Sequence, residues 1–75
     1  MSVYPNPAKE TIQISTSTFG PDIQYRILNS LGLLIKEGQL ANEITNIDVS
    51  EFASGLYYLW VKDEDQTIVK KVMVK

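Results

Sequence analysis

The sequence predicts an all-β fold, an immunoglobulin-like antiparallel β-sandwich of about seven strands. Three observations predict it: short β-branched and aromatic runs recur along the chain, turn-forming residues separate them about every ten residues, and no segment has a helical period. A small barrel made from the same strands is the runner-up. The 75 residues leave room for a single domain, 1–75, in which Met1 and Ser2 are candidate additions from cloning.

The expected strands follow from alternation and from the turn residues between them. TIQIS at 11–15 and IQYRIL at 23–28 alternate apolar and polar residues, as half-buried strands do. NSLG at 29–32 has the asparagine and glycine of a hairpin connection. SEFASG at 50–55 allows at most one helical turn, because its glycine would end a helix there. The expected strands are 3–4, 11–15, 23–28, 33–38, 44–49, 56–62 and 67–75.

The composition excludes several kinds of chemistry. The chain has no cysteine and no histidine, which excludes thiol nucleophiles, thiolate or imidazole metal ligands and a Ser-His dyad. We therefore expect no catalytic residues, no cofactor and no small-molecule substrate. Seven basic residues among nine acidic ones, with a net charge of -2, argue against nucleic-acid binding.

The sequence as given contains neither the apolar run of a membrane-spanning helix nor the pattern of an N-terminal signal peptide. The longest apolar run, GLYYLWV, is much shorter than the roughly 20 residues that a membrane-spanning helix needs. The first ten residues lack the charged start and apolar stretch of a signal peptide. If the protein is exported, we expect this chain to be only one part of the exported protein.

The acidic stretch Asp63, Glu64 and Asp65 is the one candidate cation site in the sequence. Spaced carboxylates can hold calcium, but this stretch lacks the further oxygen ligands and the glycine of a calcium loop. We interpret it as a solvated hairpin turn and expect no metal site.

The strand at 56–62 is apolar on both faces, although only one face can line the core of a sandwich. The other face lies under a loop, lines a crevice, or forms a contact surface for a partner, for which tryptophan and tyrosine are favoured anchors. The candidate partner face is Leu56, Tyr58 and Trp60. The expected core is Ile12, Ile14, Tyr25, Ile27, Tyr57, Leu59 and Val61.

The end of the chain, KKVMVK, is basic, and no acidic residue follows Asp65. Lysines on an edge strand discourage unwanted strand pairing, which is one interpretation of this segment. The alternative is that a partner recognises the end of the chain.

Four features occur in a fixed order: YPNPA at 4–8, ILNSLGLLI at 27–35, IDVSEFASGLYYLWV at 47–61 and IVKKVMVK at 68–75. In this order the chain resembles the type A C-terminal sorting domain of proteins exported by the type IX secretion system, also called the Por secretion system, of some Gram-negative bacteria. Each feature alone is common, but the four together cover nearly the whole chain. The residues that match the signal motif are Pro5, Asn6, Pro7, Gly32, Gly55, Tyr57, Lys70 and Lys71.

The resemblance implies a non-catalytic signal at the end of a larger cargo protein. Such cargo crosses the periplasm, and the sorting domain then directs it through the outer-membrane translocon with the help of shuttle proteins. A sortase-like cysteine peptidase commonly removes the domain, leaving the cargo secreted or attached to the cell surface. The other functional class that the sequence allows is an adhesive or structural immunoglobulin-like module that binds protein or carbohydrate.

Physical roles can be assigned to parts of the motif. The prolines fix their own φ angles and push the preceding residues toward extended conformations, which predicts a stiff entry into the domain. Gly55 suits a position of positive φ or of close packing, and Tyr57 is expected to point into the core. The motif residues can therefore stabilise the fold, be recognised directly by a partner, or do both.

Overall fold

The computed structural model describes residues 1–5, 8–17, 19–62 and 66–75, and every regular element in these residues is a β-strand. This confirms the predicted all-β fold with seven strands. The predicted ranges agree with the observed ones to within one residue at each end. The strands are β1 Ser2–Tyr4, β2 Thr11–Ser15, β3 Gln24–Asn29, β4 Leu34–Gln39, β5 Ile44–Asp48, β6 Gly55–Lys62 and β7 Thr67–Val74.

The strands form two separate sheets, so the sandwich is correct and the barrel is not. One sheet has three strands in the order β1-β2-β5, and the other has four in the order β4-β3-β6-β7. All pairs of neighbouring strands are antiparallel. The chain changes sheets after β2, after β4 and after β5, which is the kind of connection found in immunoglobulin-like sandwiches.

The core lies between the two sheets and is built from alternate residues of the strands. All seven residues expected in the core are buried, so the predicted inner faces of β2, β3 and β6 are confirmed. Seven further residues complete the core, and several of them lie just outside the strands where the chain passes from one sheet to the other. These are Ala8, Ile23, Leu40, Ile47, Val49, Val72 and Val74.

The predicted hairpin connects β3 to β4. The Asn29 side chain accepts hydrogen bonds from the backbone N–H of Leu31 at 2.9 Å and of Leu33 at 3.0 Å. The register of the pair shifts between Ile27 and Leu28, which indicates a β-bulge next to the turn. The asparagine thus organises the turn through its side chain, as the local sequence predicts.

The connection after β5 is a turn and contains no helix. The Asp48 carboxylate accepts a hydrogen bond from the backbone N–H of Ser50 at 2.9 Å, and Phe52 donates its backbone N–H to the carbonyl of Val49 at 3.0 Å. Hydrogen bonds from the side chain and the backbone of Ser50 lower the pKa of Asp48. Ser50 therefore acts as a hydrogen-bond donor to the side chain of Asp48, two residues before it.

The edge strand β4 presents a glycine and a lysine toward the inside of the sandwich. Gly38 lies opposite Tyr25, and Lys36 lies opposite Ile27. A Cβ atom at Gly38 would come within 2.7 to 2.9 Å of three atoms of the Tyr25 ring, so the ring occupies the space over the glycine. Burial also raises the pKa of Tyr25. The Lys36 ammonium donates to the carbonyl of Asp48 at 3.3 Å, which links the edges of the two sheets.

We predict that Gly38→Ala destabilises the domain by about 1 to 3 kcal/mol, because the new methyl group overpacks against the Tyr25 ring. The neighbouring exposed variant Gln39→Ala is the matched control and should change the free energy of unfolding by less than about 0.5 kcal/mol. Urea unfolding of both variants measures the difference. Equal stability of the two variants would mean that the Tyr25 ring can move aside at little cost.

Candidate functional site

The segment that follows the prolines joins the start of the domain to its end. Ala8 is fully buried and forms an isolated parallel bridge with Val74. Its N–H donates to the carbonyl of Met73 at 2.7 Å, and its carbonyl accepts from the N–H of Lys75 at 2.8 Å. The first and last stretches of the signal motif are therefore held side by side, although more than sixty residues separate them in the sequence.

The proline stretch itself is only partly described. Pro5 is exposed and follows Tyr4 through a cis peptide bond. Asn6 and Pro7 lie outside the described residues, so their predicted place in the signal remains a prediction. Of the three motif residues in this stretch, the structure therefore describes only Pro5, which is exposed to solvent.

The two motif glycines have positive φ angles, 83° at Gly32 and 153° at Gly55. No atom lies within 4 Å of where a Cβ would be placed on either residue, so space does not require glycine there. L-residues with side chains rarely adopt such backbone angles. Of the two explanations offered for Gly55, the backbone conformation is the one that applies. Gly32 ends the β3–β4 turn, and Gly55 starts β6.

Tyr57 is buried near the start of β6 and fixes the connection that leads into this strand. Its hydroxyl donates to the carbonyl of Ala53 at 2.7 Å, four residues upstream. Its ring packs on Phe52 with 5.1 Å between the ring centroids. This arrangement is similar to the tyrosine corner of immunoglobulin-like domains, where a tyrosine hydroxyl bonds back to the preceding backbone. The role of Tyr57 that the structure supports is structural.

The two motif lysines lie on opposite faces of β7. Lys70 is paired with Leu59, a core residue, and so projects on the inner side of the edge strand, where it is exposed. Lys71 is paired with Tyr58 and projects on the outer side. A partner that approaches one face of the sheet can therefore contact only one of these two side chains.

The candidate partner face lies on the outer side of the four-stranded sheet. Trp60 is 44% exposed, while Leu56 and Tyr58 are half-buried. No other part of the domain described by the structure forms a layer over this sheet. A groove of ≈ 460 Å³ runs beside Trp60 toward the β3–β4 turn. It is lined by Leu28, Ser30, Leu31, Gly32, Tyr58, Trp60 and Val69.

The remaining candidate, the acidic stretch at 63–65, lies outside the described residues. Within the described ranges, no group of three or more acidic side chains is placed to hold a metal ion. The same residues contain no helix that is long and apolar enough to cross a membrane.

Comparison with known protein families finds a match that covers almost the entire chain. Residues 2–75 match the family described as the secretion system C-terminal sorting domain, the sorting domain of type IX secretion. The chain belongs to this family, which confirms the resemblance found in the sequence motifs. Domains of this family are in general non-catalytic. No individual curated protein matches the chain.

Ala8 is the residue whose importance the sequence analysis missed. It stands at the end of the quoted YPNPA stretch, but a single alanine carries no periodic signal. The reason for a small side chain at Ala8 becomes evident only when the contact of this residue with β7 is known. The second omission is Arg26, which is placed opposite Trp60 by the pairing of β3 with β6.

We predict that Tyr57→Ala costs about 3 kcal/mol or more of stability, because it removes a buried aromatic ring from the core. Tyr57→Phe keeps the ring and loses only the hydrogen bond to Ala53, so it should cost about 1 kcal/mol. Thermal and urea unfolding distinguish the two variants. A similar loss in both would assign most of the stabilisation to the hydroxyl.

We also predict that Ala8→Leu destabilises the domain by about 1 to 3 kcal/mol, because the buried site has no room for the added atoms. The amide of Lys75, which donates to the carbonyl at this position, should then exchange with solvent faster. Lys9→Leu introduces the same side chain at the exposed neighbouring position and is the control. Hydrogen exchange by NMR tests this, and unchanged protection of Lys75 in Ala8→Leu would contradict the proposed coupling.

Proposed function

We propose that this chain is the sorting signal of a larger cargo protein and that it directs the cargo across the outer membrane through the type IX secretion system. The observation that carries the proposal is the family match over residues 2–75. In this proposal the domain performs no reaction itself. The cargo passes through the periplasm, the domain binds the translocon and shuttle proteins, and the cargo is then secreted or retained at the cell surface.

In the same proposal, a sortase-like cysteine peptidase cuts the chain upstream of Val3 after export. The position of β1 supports this step. This strand is at the edge of the three-stranded sheet and pairs only with β2 among the described strands. Removal of the residues before Val3 leaves the fully buried core residues in place, since Ser2 is exposed and Met1 packs against the core only as a partly buried side chain.

The signal residues fall into two groups in this proposal. Gly32, Gly55 and Tyr57 set turns and the connection into β6, so they act by making the fold. Pro5, Lys70 and Lys71 are exposed and are candidates for direct recognition. Leu56, Tyr58 and Trp60 form the candidate partner face, and Asn6 and Pro7 are carried with Pro5 as part of the motif.

An adhesive module is the alternative, and export of a reporter distinguishes it from a sorting signal. We predict that residues 3–75, attached to the C-terminus of a periplasmic reporter in a host with the type IX system, carry the reporter to the surface or the medium. Retention of this fusion in the periplasm, while the host exports its own cargo, would overturn the sorting function.

The opposite directions of the two lysines make single variants more informative than the double variant. Lys70→Ala and Lys71→Ala should each change stability by less than about 0.5 kcal/mol, because both side chains are exposed. Lys9→Ala, which removes an exposed lysine outside the motif, is the matched control. If one of the two motif variants stays folded but its reporter is retained in the periplasm, a partner recognises the lysine on that face of β7. If both are exported like the control, the lysines serve only as a charged edge.

A further inference from the structure

Trp60 separates two grooves on the outer side of the four-stranded sheet. The apolar groove of ≈ 460 Å³ lies on one side of its ring. A second groove of ≈ 260 Å³ lies on the other side, and Trp60 lines both. Two cations line the second groove, Arg26 and Lys62, together with Gln24 and Thr67.

The second groove holds both of these cations, although the net charge of the chain is -2. No carboxylate lines it among the residues that the structure describes. Glu37 pairs with Arg26 at 3.6 Å from the next strand, but both side chains are more than half exposed, so this pair contributes little. The other described carboxylates lie in loops or in the three-stranded sheet: Glu10, Asp22, Glu43, Asp48 and Glu51.

The size of this face favours a short segment over a second copy of the domain. Four strands spaced about 4.8 Å apart and six residues long cover roughly 400 Å². Stable complexes bury about 800 Å² on each partner, twice that area.

We propose that this face binds a protein segment that places a large apolar side chain in the apolar groove and a neighbouring carboxylate between Arg26 and Lys62. Trp60 contacts both parts of the ligand, because its ring forms the wall between the grooves. The exposed ring is a favoured anchor for apolar contacts, and the two cations select the sign of the charge beside it. This inference rests on the proposed function in that the segment belongs to the export apparatus.

An anionic lipid surface fits the same face less well. Protein segments that bind lipid by charge carry clusters of about four to eight basic residues, whereas this groove contains two. Separate grooves on the two sides of one ring also match individual side chains better than they match a planar surface.

The test uses two blocked five-residue peptides, one alternating glutamate and leucine and the other alternating lysine and leucine. The signal is the indole N–H resonance of Trp60, which is unique because the chain contains one tryptophan. We expect saturable shifts with the glutamate peptide at millimolar concentration and at least about threefold weaker binding of the lysine peptide.

Two variants of equal charge change locate the site. Lys62→Glu should weaken binding of the glutamate peptide by about threefold or more, since it reverses one of the two charges in the groove. Lys9→Glu makes the same change at an exposed lysine away from this face and should leave the affinity unchanged. A peptide that binds both variants equally would overturn the proposed carboxylate site.

Two further results would also overturn the proposal. One is a Trp60 resonance that does not respond to either peptide or responds equally to both. The other is a Trp60 fluorescence shift with phosphatidylglycerol vesicles in the absence of any peptide effect, which would assign the face to a lipid surface. The reporter fusion measures export, whereas the peptide titration measures binding to this surface. A failure of the ligand assignment is therefore distinguishable from a failure of the sorting function.

Discussion

The packing of the inner face of β6 against the isoleucines of the three-stranded sheet holds this domain together. Leu59 is completely buried, and so are Ile12 and Ile14 to within 1%. Because successive residues of a strand point to opposite faces, fixing Leu59 in the core also fixes Tyr58 and Trp60 on the outside. The strand that forms the centre of the core is therefore also the strand that presents the aromatic face. A slip of one residue in the pairing of β6 would turn Tyr58 and Trp60 into the core and Leu59 out of it. The burial of Leu59 therefore also determines which side chains form the outer surface.

The junction at Ala8 adds a second constraint, which acts on the ends of the domain. A domain of this size buries a small core, so each strand contributes a large share of it. The last strand supplies Val72 and Val74 to that core, and its end is held by hydrogen bonds to Ala8. Loss of the segment around Ala8 would thus loosen the strand that bears the lysines. Ala8, which follows the proline stretch in the sequence, therefore joins the start of the motif to its basic end.

Much of the fold was predictable because alternation and turn residues are local signals. TIQIS has the predicted bounds, and the seven predicted core residues are all buried. The pairing of strands is not local, and it decides the features that the sequence analysis missed. The burial of Ala8, the opposite directions of Lys70 and Lys71, and the position of Arg26 beside Trp60 all depend on register between distant segments. The contact of the Tyr25 ring with Gly38 depends on it as well, because nothing in EGQ indicates what lies across the sheet.

The edge strand β7 indicates how a partner can approach the domain. Lys70 points toward the inner side of this edge, and inward-pointing charges on edge strands oppose the addition of another strand because the charge would be buried. The end of the same edge is occupied by Ala8. Recognition through backbone pairing along β7 is thus disfavoured at its centre and blocked at its end. No described residue forms a layer over the outer surface of the same sheet, where the Trp60 side chain is 44% exposed. From these two constraints on β7 we expect a partner to contact side chains on the preformed sheet and not to pair with its edge. Such a contact requires that the domain be folded when the partner binds it.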